Sequence, residues 1–143
     1  THGKYLFSLK SPSEFEIANF ISDPSYISLE SALSFYGILS QFPYVITSVT
    51  WTCSSKSSGT QSEYEFLHID SKYFFSFVKN GDFLIATPEK ALIDQLYFTS
   101  KGLRGFAPPG ELDLGRINKR YFKRILNEYN CIPLKKLAGK YVR

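Results

Sequence analysis

The chain has 143 residues, two cysteines (Cys53 and Cys131, without CxxC spacing) and a net charge of +4. This length supports one domain, residues 1–143, that needs no disulfide bond, and no apolar run approaches the ~18 residues of a membrane-spanning helix. The composition therefore excludes a disulfide-stapled scaffold and an integral membrane protein, and it predicts a cytoplasmic domain with reduced cysteines and no membrane partner.

The first predicted elements are a short strand and two helices. The strand covers residues 3–7, and a capping box formed by Ser11 and Glu14 opens the first helix. The second helix has Ser28 as its N-cap and ends at Gly37, because glycine is favoured just past a helix C-terminus.

The middle of the chain is rich in β-branched and aromatic residues, which favour strands. Four strands are predicted, at residues 44–51, 63–69, 73–79 and 82–85. The Ser-rich stretch at 54–62 is predicted to be a mobile loop, and Asn80-Gly81 to be the turn of a hairpin. We therefore predict an α+β fold, with an antiparallel four-stranded meander flanked by an N-terminal helix pair and C-terminal helices.

A long helix is predicted directly after the last strand. Thr87 caps it with its hydroxyl, Pro88 occupies its first position, and Glu89 places a negative charge at the positive end of the helix dipole. Lys90 and Asp94 lie four residues apart, a spacing that predicts a surface ion pair worth a few tenths of a kcal/mol.

The C-terminal part, residues 111–143, is predicted to be a basic helical subregion. After a Gly- and Pro-rich connector, Asp113 caps a helix over residues 114–129, and Pro133 opens a last short helix. The basic residues of the two helices, which we predict to bind nucleic acid or an acidic partner, are Arg116, Lys119, Arg120, Lys123, Arg124, Lys135, Lys136 and Lys140.

Charge is divided unevenly along the chain. Residues 1–100 carry six Lys/Arg and ten Asp/Glu, whereas residues 101–143 carry eleven Lys/Arg and three Asp/Glu. Such asymmetry indicates a nucleic acid, a membrane surface or an acidic partner. Like charges three and four positions apart destabilise a helix, so an external anion would compensate the basic helix. The alternative is a solvated face, or one paired with Glu14, Glu16 or Glu30 of the acidic body.

Enzyme signatures are weak in this sequence. His68 and Asp70 lie on one face of a strand and supply only one edge of a metal site, and neither a G-x-S-x-G elbow nor a phosphate-binding glycine loop is present. We therefore predict no catalytic residues, no metal and no cofactor. The dense aromatic residues at 64–77 are predicted to form the core rather than a platform for stacking bases.

Two stretches together resemble the AbiEi family of antitoxins, the transcriptional-regulator half of type IV toxin–antitoxin systems used in phage abortive infection. The first stretch is Pro-Ser-Tyr-Ile-Ser-Leu-Glu-Ser-Ala-Leu-Ser-Phe-Tyr-Gly-Ile-Leu at 24–39, and the second is Ala-Thr-Pro-Glu-Lys-Ala-Leu-Ile-Asp at 86–94. The resemblance covers about residues 3–100. The residues that carry it are Tyr26, Ser28, Ser31, Ala32, Leu33, Gly37, Pro88, Glu89, Lys90, Ala91 and Asp94.

The resemblance implies a non-enzymatic, DNA-binding transcriptional regulator that counters a nucleotidyltransferase-like toxin, with which it need not form a stable complex. Gly3-Lys4-Tyr5 is similar to the end of the wing in the family's winged helix-turn-helix, so residues 3–8 would be a remnant of that strand. The DNA-reading helices would then lie upstream of Thr1, and the absence of methionine fits a piece of a longer protein. Packing explains the two stretches equally well. The alternatives are a sequence-independent nucleic-acid-binding module and a metal-dependent enzyme centred on His68 and Asp70.

Overall fold

The computed structural model describes residues 12–59 and 61–143, so the predicted strand at 3–7 lies outside the described residues. Within this part, the chain forms five α-helices and six strands. In chain order they are α1 (Glu14–Ile21), β1 (Ser25–Ile27), α2 (Leu29–Phe35), β2 (Val45–Thr50), β3 (Ser55–Ser58), β4 (Glu63–His68), β5 (Phe77–Asn80), β6 (Phe83–Ala86), α3 (Pro88–Ser100), α4 (Lys119–Leu126) and α5 (Ile132–Ala138).

The six strands form one mixed sheet in the order β3-β4-β2-β1-β6-β5. Neighbours β2 and β4 run parallel, as do β1 and β6, and the other three pairs are antiparallel. The α+β class is correct, but the predicted four-stranded antiparallel meander is wrong. The β5–β6 hairpin is confirmed, with Asn80 opposite Phe83 and a positive φ of 59° at Gly81.

The two elements that the prediction missed are β1 and β3. Strand β1 has only three residues between two helices, yet it lies near the middle of the sheet and is fully buried. Strand β3 lies within the stretch predicted to be a mobile loop, and it pairs with β4 as an edge strand. An edge strand with exposed side chains needs no apolar residues, so its serines gave no strand signal.

The predicted N-terminal helix pair is present, with shifted boundaries. Ser13 caps α1 and forms a capping box with Glu16, two residues later than predicted. Ser28 is the N-cap residue of α2, but its side chain makes no capping hydrogen bond. Gly37 follows α2 with a φ of 78°, a left-handed conformation that favours glycine.

Helix α3 begins as predicted. The Thr87 side chain accepts a hydrogen bond from the backbone N–H of Lys90, and Pro88 occupies the first turn. The helix packs against β6 and against α2, α4 and α5, and it is buried on nearly all sides. It is therefore the centre of the domain, and the C-terminal helices cover it.

The predicted single helix over 114–129 is wrong. Residues Leu114–Arg116 form one 3₁₀ turn, and α4 begins only after Asn118, whose side chain caps the helix by accepting from the N–H of Tyr121. The backbone N–H of Asn118 donates to the Glu89 carboxylate over 2.9 Å. This bond ties the start of α4 to the start of α3.

The aromatic residues at 64–77 belong to the core, as predicted. Tyr64, Phe66 and Tyr73 are buried, and Phe74, Phe75 and Phe77 pack against the same cluster. The two cysteines are free, so no disulfide bond joins them. Among residues 12–59 and 61–143, no helix has the length and apolar character that crossing a membrane requires.

Candidate functional site

The two stretches that resemble the antitoxin family meet in the middle of the fold. Tyr26 of β1 and Ser28 lie two residues apart in extended chain, so their side chains point to the same side. Lys90 and Asp94 lie one turn apart on the same side of α3. Because β1 pairs in parallel with β6, which leads directly into α3, the four side chains converge.

These four residues form the buried polar cluster. Lys90 Nζ lies 2.5 Å from Asp94 Oδ1 and donates to the Tyr26 hydroxyl over 2.9 Å. The second carboxylate oxygen, Oδ2, accepts from Tyr26 OH at 2.9 Å and from Ser28 Oγ at 2.7 Å. All four residues have 0% relative exposure, so the cluster satisfies its own polar groups without contact with solvent.

Three aromatic rings surround the Lys90 ammonium. Nζ lies 5.5 Å from the ring centroid of Tyr26, 5.1 Å from that of Phe75 and 5.7 Å from that of Tyr129. Such cation–π contacts are worth about 2 kcal/mol when desolvated. Tyr129 follows α4 and stacks on Tyr73 at 4.1 Å, so the C-terminal subregion closes the cluster.

Burial dominates the acid–base chemistry of the cluster. It raises the pKa of Tyr26 well above its usual value, and the Asp94 carboxylate raises it further. Burial also lowers the pKa of Lys90, although the Asp94 charge acts in the opposite direction. Burial and the Asp94 charge also raise the pKa of Tyr129. Both tyrosines therefore remain neutral.

The predicted surface ion pair between Lys90 and Asp94 is thus wrong, because the pair is completely buried. Breaking a buried pair costs far more than the few tenths of a kcal/mol expected for a surface pair. The sequence held one signal for this burial. Ala91, Leu92 and Ile93 follow Lys90 without a polar interruption, which indicates a helix buried on several sides.

The other residues of the two stretches are engaged in packing and backbone contacts. Ser31 exchanges two hydrogen bonds with Thr47 of β2, at 2.9 and 3.2 Å. Ala32, Leu33 and Ala91 are fully buried in the core. The structure brings the stretches together as one packing unit.

The C-terminal helices carry a surface that we call the basic face. Seven exposed side chains form it: Lys119, Arg120, Lys123, Arg124, Lys135, Lys136 and Lys140. None of them lies within ion-pair distance of a carboxylate in residues 12–59 and 61–143. Repulsion within α4, between Lys119 and Lys123 and between Arg120 and Arg124, is therefore not relieved by the described acidic residues.

Arg116, the eighth predicted residue, differs from these seven. It lies in the 3₁₀ turn, and its Nε donates to Asp113 Oδ2 over 2.9 Å. Its guanidinium also passes close to Gly37, where an added Cβ would lie 3.3 Å from Nε. Arg116 thus pairs within its own turn and lies against the residue that follows α2.

The carboxylates that could have paired with the basic face are used elsewhere. Glu30 binds Arg104 at 2.8 Å, together with Glu65 at 2.9 Å. Glu14 accepts from the Tyr64 hydroxyl at 2.6 Å, and Glu16 completes the capping box of α1. Only Arg104 of the basic half pairs with the acidic body in the described part of the chain.

One depression on the basic face is lined by three cations. Lys119, Lys140 and Arg143 line a cavity of about 340 Å³, and its remaining lining residues carry no carboxylate. Three ammonium and guanidinium groups around one depression attract phosphate or carboxylate oxygens.

The predicted metal edge does not gather further ligands. The His68 ring contacts the carbonyl oxygen of Thr52 through Nδ1, and Asp70 caps a 3₁₀ turn by accepting from the N–H of Lys72. In residues 12–59 and 61–143, His, Cys, Asp and Glu side chains form no group of three or more that could hold a metal ion.

Comparisons of the chain with protein-family models, with curated proteins and with solved structures find no match.

Proposed function

We propose that the chain is a cytoplasmic, non-enzymatic domain of the AbiEi antitoxin kind. It counters a nucleotidyltransferase-like toxin of a type IV abortive-infection system and contacts DNA or an acidic partner through its basic face. The single observation that carries this proposal is the basic face itself: seven exposed cations that the described carboxylates leave unpaired. Their electrostatic cost falls when a polyanion replaces water and counterions.

The family part of the proposal is supported by the placement of the two resembling stretches. Tyr26 and Ser28 of the first stretch bind Asp94 of the second, which lies 68 and 66 positions further along the chain. The two stretches therefore specify one structural unit, as a family signature does. The unit is closed to substrates, since its polar side chains have no exposed surface, and this favours a regulatory role over a catalytic one.

The test is rescue of cells from the cognate toxin by co-expression. A triple variant, Lys119→Glu/Arg120→Glu/Lys123→Glu, reverses three charges of the basic face and spares Arg124. The matched control, Lys56→Glu/Lys79→Glu/Lys101→Glu, changes the net charge equally at exposed lysines outside that face. We expect the first variant to lose rescue and the control to retain it, with circular dichroism showing that both fold. Equal rescue by both would refute a role for the basic face.

A second candidate is a sequence-independent nucleic-acid-binding module, and the cavity lined by Lys119, Lys140 and Arg143 favours it. Such a module binds any duplex with a log affinity that falls by about 0.9 per neutralised phosphate for each unit of log salt. Fluorescence anisotropy of an arbitrary labelled duplex at two salt concentrations measures this slope. A slope near zero excludes a sequence-independent nucleic-acid-binding module. Rescue from the toxin does not depend on this slope, so the two tests are separate.

A further inference from the structure

A second cleft lies beside α4, and we call it the α4 cleft. Its volume is about 400 Å³, within the ~300–1,000 Å³ typical of small-molecule sites. It is lined by Lys72, Phe75 and Ser76, which precede β5, and by Tyr121, Arg124 and Ile125 of α4.

Two cations flank the α4 cleft from different elements. Lys72 and Arg124 are both exposed, and neither forms an ion pair with a described residue. The Lys72 ammonium lies 5.1 Å from the centroid of the Tyr73 ring, so its stem is held against the core. A guanidinium and an ammonium that line the same cleft suit a phosphate group, which accepts hydrogen bonds from both.

A chain of three hydroxyls reaches the α4 cleft through Ser76 and Tyr121. Ser76 Oγ is 2.8 Å from Thr87 Oγ1 and 2.6 Å from the Tyr121 hydroxyl. Either oxygen of each pair can donate. The Thr87 hydroxyl can also donate to the Ser76 carbonyl over 3.3 Å. When it donates to Ser76 Oγ instead, and Ser76 Oγ donates to Tyr121, the Tyr121 proton is free for a ligand. A bound anion selects this arrangement, because it accepts that proton.

The rest of the cleft lining is mainly apolar and aromatic. Ile125 is 3% exposed, and Phe75 and the Tyr121 ring are half-buried. The Phe75 ring is held in place by the buried Lys90 ammonium, 5.1 Å from its centroid. A fixed aromatic ring beside a phosphate site provides a surface on which a nucleobase stacks, with about 1–3 kcal/mol per base.

One carboxylate also lines the α4 cleft. Glu128 is exposed, and its oxygens pair with no Lys or Arg of residues 12–59 and 61–143. A carboxylate would repel a simple anion, but it accepts hydrogen bonds from the exocyclic amino group of a base. The cleft therefore matches a ligand with an anionic end, a flat aromatic body and an amino donor.

We infer that the α4 cleft binds a nucleotide carrying an amino-substituted base, with the phosphate between Lys72 and Arg124 and the base against Phe75. The nucleotide is either free or part of a single strand. This inference goes beyond the proposed function and does not rest on it, because the rescue variant leaves Arg124, the residue that the cleft shares with the basic face, unchanged.

The test is calorimetric titration of the chain with AMP, adenosine and inorganic phosphate, with amide NMR shifts to locate the site. AMP is expected to saturate one site and to shift the amides of Ser76 and Tyr121. Adenosine and inorganic phosphate are each expected to bind about tenfold more weakly, since each lacks one half of the contacts. Absence of saturable AMP binding overturns the inference.

Matched variants separate the α4 cleft from general charge attraction. Arg124→Gln and Lys72→Gln are expected to weaken AMP binding about tenfold each, because each removes a charge-assisted hydrogen bond. Arg120→Gln removes an arginine of the same helix outside the cleft, and Lys79→Gln removes an exposed lysine of β5 outside the cleft. Both variants are expected to leave the affinity within about twofold. If Arg120→Gln weakens binding as much as Arg124→Gln, the inference is overturned.

Two further arms define the ligand. Phe75→Leu is expected to weaken AMP and adenosine alike, because it removes the stacking surface and leaves the cations in place. If a single strand of six adenine nucleotides binds more tightly per nucleotide than AMP, the ligand is part of a strand. If AMP binds more tightly, the ligand is a free nucleotide. Unchanged affinity in Phe75→Leu contradicts the placement of the base.

Discussion

Lys90 and Asp94, one turn apart on α3, form an ion pair with no exposed surface, and Nζ and Oδ1 are 2.5 Å apart. Moving two charges out of water costs several kcal/mol per ion, so such a pair persists only with further hydrogen bonds. Tyr26 and Ser28, which belong to the other of the two resembling stretches, supply those bonds. The pair therefore links the sheet to the central helix.

The first prediction concerns the removal of one partner. Asp94→Asn is expected to lower the free energy of unfolding by about 3–5 kcal/mol, since it leaves the Lys90 charge buried and unpaired. Lys90→Met should cost a similar amount, and the double variant should cost less than the sum of the two. Urea unfolding monitored by circular dichroism measures all three.

The control for this cycle is Asp113→Asn, the same substitution at an exposed pair. The side chains of Asp113 and Arg116 are 56% and 58% exposed, so breaking their bond should cost about 0–1 kcal/mol. If Asp94→Asn is no more destabilising than Asp113→Asn, the Lys90 charge is not buried in solution.

The elements predicted correctly are those whose signals are local. Thr87 and Pro88 define the start of α3 by capping chemistry alone, and Asn80 and Gly81 mark the β5–β6 hairpin by turn chemistry. Each signal involves neighbours in sequence, so no knowledge of the fold is needed. The exposure of the basic residues on α4 and α5 follows in the same way from amphipathic spacing.

The prediction failed where structure depends on distant pairing. Strand β1 has three residues and becomes a strand only because β2 and β6 lie on either side of it. Strands β2 and β4 pair in parallel although β3 lies between them along the chain. A meander, in which successive strands are antiparallel neighbours, cannot describe this pairing. Helix α4 begins late because Glu89 binds the Asn118 N–H from another helix.

The buried polar cluster was missed for a related reason. Spacing of four residues reveals that Lys90 and Asp94 can pair, but not whether water reaches them. Their burial depends on the rings of Phe75 and of Tyr129, and Tyr129 lies 39 residues after Lys90 in the chain. Local periodicity therefore indicates that Lys90 and Asp94 can pair, and tertiary packing decides whether the pair is exposed or buried.

The second prediction tests the contact between Gly37 and Arg116. Gly37 has a φ of 78°, and an added Cβ would lie 3.3 Å from Arg116 Nε. Gly37→Ala is expected to lower the free energy of unfolding by about 1–2 kcal/mol, because alanine is strained in the left-handed conformation. The added Cβ also displaces the Arg116 guanidinium, which lowers it further. Thermal unfolding measures the loss.

The chain offers a matched glycine for this test. Gly102 has a similar φ of 73° with nothing within 4 Å of an added Cβ, so Gly102→Ala reports backbone strain alone. The excess cost at Gly37 should disappear when Arg116 is also replaced by alanine. An excess that survives Arg116→Ala would show that the guanidinium does not cause it.

The third prediction is a loss of stability at high pH. Burial of Tyr64 and its hydrogen bond to Glu14 raise the pKa of this tyrosine to about 12 from 10.0. The folded state thus keeps a proton that the unfolded state loses between these values, so the stabilisation is complete below pH 10 and is lost as pH rises toward 12.

Unfolding free energies of the natural chain and of Tyr64→Phe at pH 8, 10, 11 and 12 check this sign. The difference between the two proteins should be largest at pH 8 and should shrink above pH 10, because phenylalanine has no proton to retain. A difference that grows with pH would contradict a raised pKa at this site.

The fourth prediction concerns Ser76, which has a φ of 59° despite carrying a side chain. Ser76→Ala removes the hydroxyl that joins Thr87 to Tyr121 but keeps the left-handed backbone under strain. Ser76→Gly removes the same hydroxyl and also relieves the backbone strain. A left-handed conformation costs about 1–2 kcal/mol for a residue with a Cβ. The glycine variant should therefore be the more stable of the two by about 1 kcal/mol in urea unfolding.

This comparison also separates stability from binding at the α4 cleft. Both variants lack the hydroxyl that orients the Tyr121 proton, so both should lose AMP affinity equally, whatever their stabilities. Equal stability of the two would mean that the backbone at position 76 relaxes when the hydroxyl is removed. Retained affinity in the glycine variant alone would mean that backbone conformation, and not the chain of hydroxyls, prepares the cleft for an anion.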